Sequence, residues 1–71
     1  MIRVSGPNMK KIAEAVNGVQ IEGMTYAFTG KITGIQATFT TDATDEEAAR
    51  VALKGYLKKE FPVYTLRVEV I

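Results

Sequence analysis

Hydrophobic and polar positions alternate at both ends of the chain and follow a helical period in between. Ile2 and Val4 flank Arg3, which predicts a short strand over residues 1–5. Gly6 and Pro7 close it. Met9, Ile12, Ala13 and Val16 then recur at the i, i+3, i+4, i+7 spacing of one buried stripe. This predicts a helix over 7–17, with Pro7 at its first position and Gly18 as a left-handed cap. A second helix, over 45–60, opens on Thr44 and Glu47 as a capping box, with Asp45 and Glu46 at its positive end. It buries Ala49, Ala52, Leu53 and Tyr56, with Leu57 at the margin of the stripe. Pro62 forbids continuation, and Tyr64, Leu66, Val68 and Val70 alternate with Thr65, Arg67 and Glu69 in a last strand over 63–71.

Between the helices lies the segment around which the rest is organised, Val19 to Thr41, read as a hairpin of strands 19–28 and 32–41. If Thr29, Gly30 and Lys31 form its loop, Phe28 stands opposite Ile32. Val19, Ile21, Gly23, Thr25 and Ala27 then share an inner face with Ile35, Ala37 and Phe39. The outer face receives Met24, Tyr26, Phe28 and Ile32, an apolar group that the packing of the domain does not require. A two-residue loop would slip the register and set Ala37 and Ile35 against Met24 and Tyr26.

The element order β-α-β-β-α-β predicts an α+β fold of the ferredoxin-like split βαβ kind: a four-stranded antiparallel sheet with both helices on one face. The first strand is expected in the centre and strand 19–28 at an edge. A chain of 71 residues is expected to form one domain, 1–71, with one small core. VSG before the first helix, GV after it, and DATDEEAARVALKGY leading to Gly55 and Tyr56 resemble the layout of the heavy-metal-associated domain of copper chaperones. Those domains carry two cysteines in the loop opening the first helix. Here Pro7, Asn8, Met9, Lys10 and Lys11 stand there instead, so the resemblance implies no metal residue.

Composition narrows the chemistry. The chain has no cysteine and no histidine, so it lacks a thiolate nucleophile, a disulfide framework and the commonest general base and metal ligand. No cofactor and no metal are expected. No run of about 18 apolar residues is present, and no leader pattern precedes the first strand, so a soluble cytoplasmic protein is expected. Asp42, Asp45, Glu46 and Glu47 form an acidic cluster, and Asp42 with Glu46 is the strongest candidate for acid-base catalysis. Helix-dipole stabilisation explains most of that cluster without catalysis, so no enzymatic activity is expected. Nucleic-acid binding would draw on Lys10 and Lys11 of one helix, on Lys54, Lys58 and Lys59 of the other, or on the bare sheet face. A net charge of +1 gives little support to a polyanion partner. The reading that remains is a small non-catalytic module that associates with itself or another protein through the hairpin and Met24, Tyr26, Phe28 and Ile32.

Overall fold

The computed structural model describes all 71 residues. Two helices and five antiparallel strands appear in the order β1 (Ile2–Ser5), α1 (Met9–Val16), β2 (Gln20–Ile21), β3 (Met24–Thr33), β4 (Gln36–Thr41), α2 (Glu46–Glu60) and β5 (Arg67–Val70). The sheet runs β2-β3-β4-β1-β5, with β1 between β4 and β5. The fold is therefore mixed α+β, with one strand more than expected.

The extra strand comes from a turn that the hydrophobic pattern conceals. Glu22 and Gly23 both take positive φ, 51° and 81°, as the two central residues of a tight hairpin that pairs Ile21 with Met24. The expected strand 19–28 thus breaks at Glu22, a residue that rarely adopts this conformation. The main hairpin also turns elsewhere than expected. Its tip is the two-residue loop Gly34–Ile35, with Gly34 at φ 59° and Thr33 opposite Gln36. Thr29, Gly30 and Lys31 form a bulge inside β3: the register passes from Phe28 with Phe39 to Ile32 with Ala37, so these three residues face Thr38 alone. Gly30, at φ 88°, absorbs the bend.

This register decides which side chains form the core. Tyr26, Ala37 and Phe39 join Ile2, Val4 and Val68 beneath the helices, where Met9, Ile12, Ala13 and Val16 of α1 meet Ala49, Leu53 and Leu57 of α2 in one cluster. Thr25 and Ala27, assigned inward by the sequence pattern, are exposed instead. The helical stripe of α1 is the one expected. In α2, Leu57 is buried and Tyr56 only half-buried, the reverse of the expected order.

Helix starts also differ from expectation. Pro7 lies in the turn before α1, and Asn8 holds the N-cap position at φ 54° without a side-chain cap; its Nδ2 donates to Tyr64 Oη at 2.9 Å. Asp45, not Thr44, caps α2, its Oδ1 accepting from the N–H of Glu47 at 3.0 Å and of Ala48 at 3.3 Å. The last strand is shorter than expected because residues after Pro62 turn first: Tyr64 N–H donates to Phe61 C=O, and the two rings stack with centroids 5.8 Å apart.

Gly6 joins β1 to the turn and binds Ile35 C=O through its N–H at 2.9 Å. A Cβ here would lie 2.6 Å from Leu66 Cδ2 and 3.0 Å from the Thr65 carbonyl, at a φ of 151°. Gly6→Ala is expected to cost about 1–3 kcal/mol, measured as a fall in the urea-unfolding free energy.

Candidate functional site

The four hairpin residues expected on the outer surface do not form a patch. Tyr26 is wholly buried, and its Oη donates to Ala49 C=O at 2.7 Å, joining β3 to α2. Met24 and Phe28 are half-buried against the core, with the Phe28 ring 5.6 Å from Phe39. Of the four, Ile32 alone is exposed, and Ile35 at the tip, expected on the inner face, is more exposed still. The physical reason is the two-residue turn at Gly34–Ile35, which puts Met24, Tyr26 and Phe28 on the same face as Ala37 and Phe39; the bulge shifts their partners by two residues without changing that face. The outer face of the sheet carries Arg3, Gln36, Thr38, Thr40 and Glu69, with an Arg3–Glu69 ion pair at 3.2 Å. On that face Arg3 Nε and Ser5 Oγ are shielded from solvent without a hydrogen-bond partner.

The outer edge of β3 is also covered at Tyr26 and Phe28. Tyr26 N–H donates to Val19 C=O, Gly18 N–H donates to Tyr26 C=O, and Phe28 N–H donates to Asn17 Oδ1. The segment leaving α1 thus occupies the main-chain groups expected to receive a partner strand.

Strand β5 is different. Ile71 N–H donates to Met1 C=O at 3.0 Å, and the register pairs Arg3 with Glu69 and Ser5 with Arg67. Antiparallel strands exchange bonds at alternate pairs, so Arg67, Glu69 and Ile71 turn their N–H and C=O toward β1. Val68 and Val70 turn theirs outward, as does the carbonyl of Leu66 just before the strand, and no further strand lies there. A cleft of about 610 Å³ reaches Arg3, Ser5, Lys54, Leu66, Arg67 and Glu69 along this edge. A second, of about 270 Å³, is lined by Lys54, Leu57, Lys58, Tyr64, Leu66 and Val68. Residue pattern does not reveal this edge, because alternation in RVEV specifies which side chains point inward and says nothing about which neighbour the backbone has.

Lys54 and Lys58 meet along the second cleft, whereas Lys59 does not line it and Lys10 and Lys11 lie on α1. Asp42 ties the start of β3 to the end of β4, since its Oδ1 accepts Thr25 N–H at 2.9 Å and its own N–H returns to Thr25 C=O. Glu46 is paired with the Met1 ammonium group. Glu47 accepts from Arg50, which lowers the Glu47 pKa and raises that of Arg50. No group of three or more acidic side chains is placed to hold a metal ion. No helix is long and apolar enough to cross a membrane. Comparison with protein-family models, curated proteins and solved structures returns no match.

Tyr26 provides a test of this register. Burial raises its pKa above 10.0, and the carboxylates of Glu22 and Asp42 raise it further. The neutral phenol is the form the fold favours, so this contribution is intact below about pH 10 and falls as pH climbs through the raised value. The urea midpoint of the wild type is expected to drop above about pH 10, and that of Tyr26→Phe to drop less. At neutral pH, Tyr26→Phe is expected to cost about 1 kcal/mol through loss of the Ala49 hydrogen bond, and Tyr26→Ala about 3–5 kcal/mol.

Proposed function

We propose that this chain is a non-catalytic binding module that acts by protein-protein association, and that its contact surface is the outer edge of β5. The observation that supports this reading is the row of outward-facing main-chain groups, the Leu66 C=O and the N–H and C=O of Val68 and Val70. Every main-chain group at a sheet edge that lacks a protein partner must be satisfied by water or by another strand, and a second strand satisfies it with side-chain selectivity added. The clefts on either side give room for alternate side chains of an incoming strand. Arg67, exposed and without a carboxylate of its own, marks one border.

We read the four longer strands, in the order β3-β4-β1-β5, as the ferredoxin-like split βαβ unit, with β2 an addition outside it. In that unit the last strand occupies an edge. Each net main-chain hydrogen bond contributes about 0.5–1.5 kcal/mol, while association costs about 4–15 kcal/mol. Edge pairing alone therefore favours a weak, reversible contact, to which burial of Leu66 and Val70 side chains adds.

Nucleic-acid binding is the second reading. The open face carries Arg3, Lys31 and Arg67 but no aromatic ring on which a base would stack, and this places it behind strand addition.

Val70→Pro tests the proposal, because the Val70 N–H points away from β1 and proline is compatible with an open edge. The variant is expected to retain its circular dichroism spectrum and to lose protection of the Val68 amide that appears, in hydrogen exchange, when the wild type is concentrated or given an extended peptide. Fast exchange at Val68 under every condition would remove the proposal.

A further inference from the structure

We infer that the strand which pairs with β5 is the β5 of a second copy, in antiparallel register with the two-fold axis through Val68. This rests on the assignment of the β5 edge as the contact surface and adds its occupant and geometry. Val68 turns its N–H and C=O outward, so two Val68 residues related by a two-fold axis form one closely spaced hydrogen-bonded pair. The same register sets Leu66 opposite Val70 of the second copy, again with outward groups on both sides. The outward groups of Val68 and the Leu66 carbonyl then meet outward groups of the same edge.

The side chains agree with this pairing. Between the bonded pairs, Arg67 of each copy falls opposite Glu69 of the other, where side chains approach most closely. Arg67 has no ion-pair partner within its own chain. Glu69 receives Arg3 on Oε1 only, at 3.2 Å, which leaves Oε2 for the second copy's Arg67. A shift of one residue would set outward main-chain groups against inward ones, and a shift of two would set Arg67 against Arg67 or Glu69 against Glu69. On the helix side, Leu66, Val68 and Val70 continue the apolar layer across the axis. The sequence Leu66-Arg67-Val68-Glu69-Val70 is thus complementary to itself read backwards, as an isologous interface requires.

The test uses the intact chain and two single variants, Arg67→Glu and Glu69→Arg, in sedimentation equilibrium over a range of concentrations. Wild type is expected to dimerise, and each variant alone to dimerise at least tenfold more weakly, because like charges then face each other twice. Mixing the variants in equal amounts is expected to restore dimerisation, since both cross-axis pairs regain opposite signs. Circular dichroism confirms that each variant is folded, and Val70→Pro serves as the control that blocks the edge without changing charge. A wild type that stays monomeric while an extended peptide protects the Val68 amide overturns the second copy as occupant and leaves the edge assignment standing. A dimer that Val70→Pro abolishes, but that mixing the charge variants does not restore, overturns the register. A dimer untouched by Val70→Pro overturns both.

Discussion

The structure depends on one buried side chain, Tyr26. Its ring lies in the core between sheet and helices, and its hydroxyl reaches the Ala49 carbonyl of α2. Burying a side chain of this size is worth roughly 1.5–3 kcal/mol; turning the hairpin over would return it to water and put the exposed Thr25 into the core. A threonine hydroxyl buried without a partner costs about 1–3 kcal/mol. The two terms have the same sign, so the register of β3 is set with a wide margin. From that follow the half-buried positions of Met24 and Phe28, the inward Phe39, and an outer sheet face without an aromatic ring.

Much of this is legible from residue spacing. The stripe Met9, Ile12, Ala13 and Val16 identifies the buried face of α1 because four residues at helical spacing admit one solution. The acidic first turn and the stop at Pro62 bracket α2 to within a residue or so. The alternation of Val68 and Glu69 orients β5 correctly. The hairpin is not legible in the same way, because Thr29-Gly30-Lys31 and Thr33-Gly34-Ile35 are both competent turns and local turn chemistry cannot choose between them. The choice is made by Tyr26 and the helix it touches, more than twenty residues away in sequence. Glu22-Gly23 is hidden for a related reason: glutamate is a poor turn former, and its positive φ is accepted where Gln20 pairs with Thr25 and Ile21 with Met24.

The two edges of the sheet are managed in opposite ways. On the β3 side, Asn17, Gly18 and Val19 lie alongside the strand and take up its main-chain groups before β2 adds two more residues. The whole connection from α1 serves this closure. On the β5 side no segment is placed outside the strand, and charge of both signs is arranged on one face of four residues. An edge left open in so small a protein is a route to indiscriminate aggregation unless something restricts which strand is accepted. Arg67 and Glu69 are the groups that can bias that choice, because opposite charges directly across a strand pair attract and like charges repel.

The bulge at Thr29–Lys31 has a consequence for the tip of the hairpin. It inserts two surplus residues on one strand, an even number, so inside remains inside on both sides of it. The base of the hairpin, from Met24 to Phe28, is fixed by the core. Beyond the bulge, the tip from Ile32 to Gln36 is held by β4 and also by the β1 end, where Ser5 pairs with Gln36 and Gly6 N–H donates to Ile35 C=O, while Ile32 and Ile35 themselves stay exposed. The exposed side chains of the tip can therefore be exchanged, provided the two-residue turn still brings a carbonyl to Gly6, while the alternation that builds the core stays in phase.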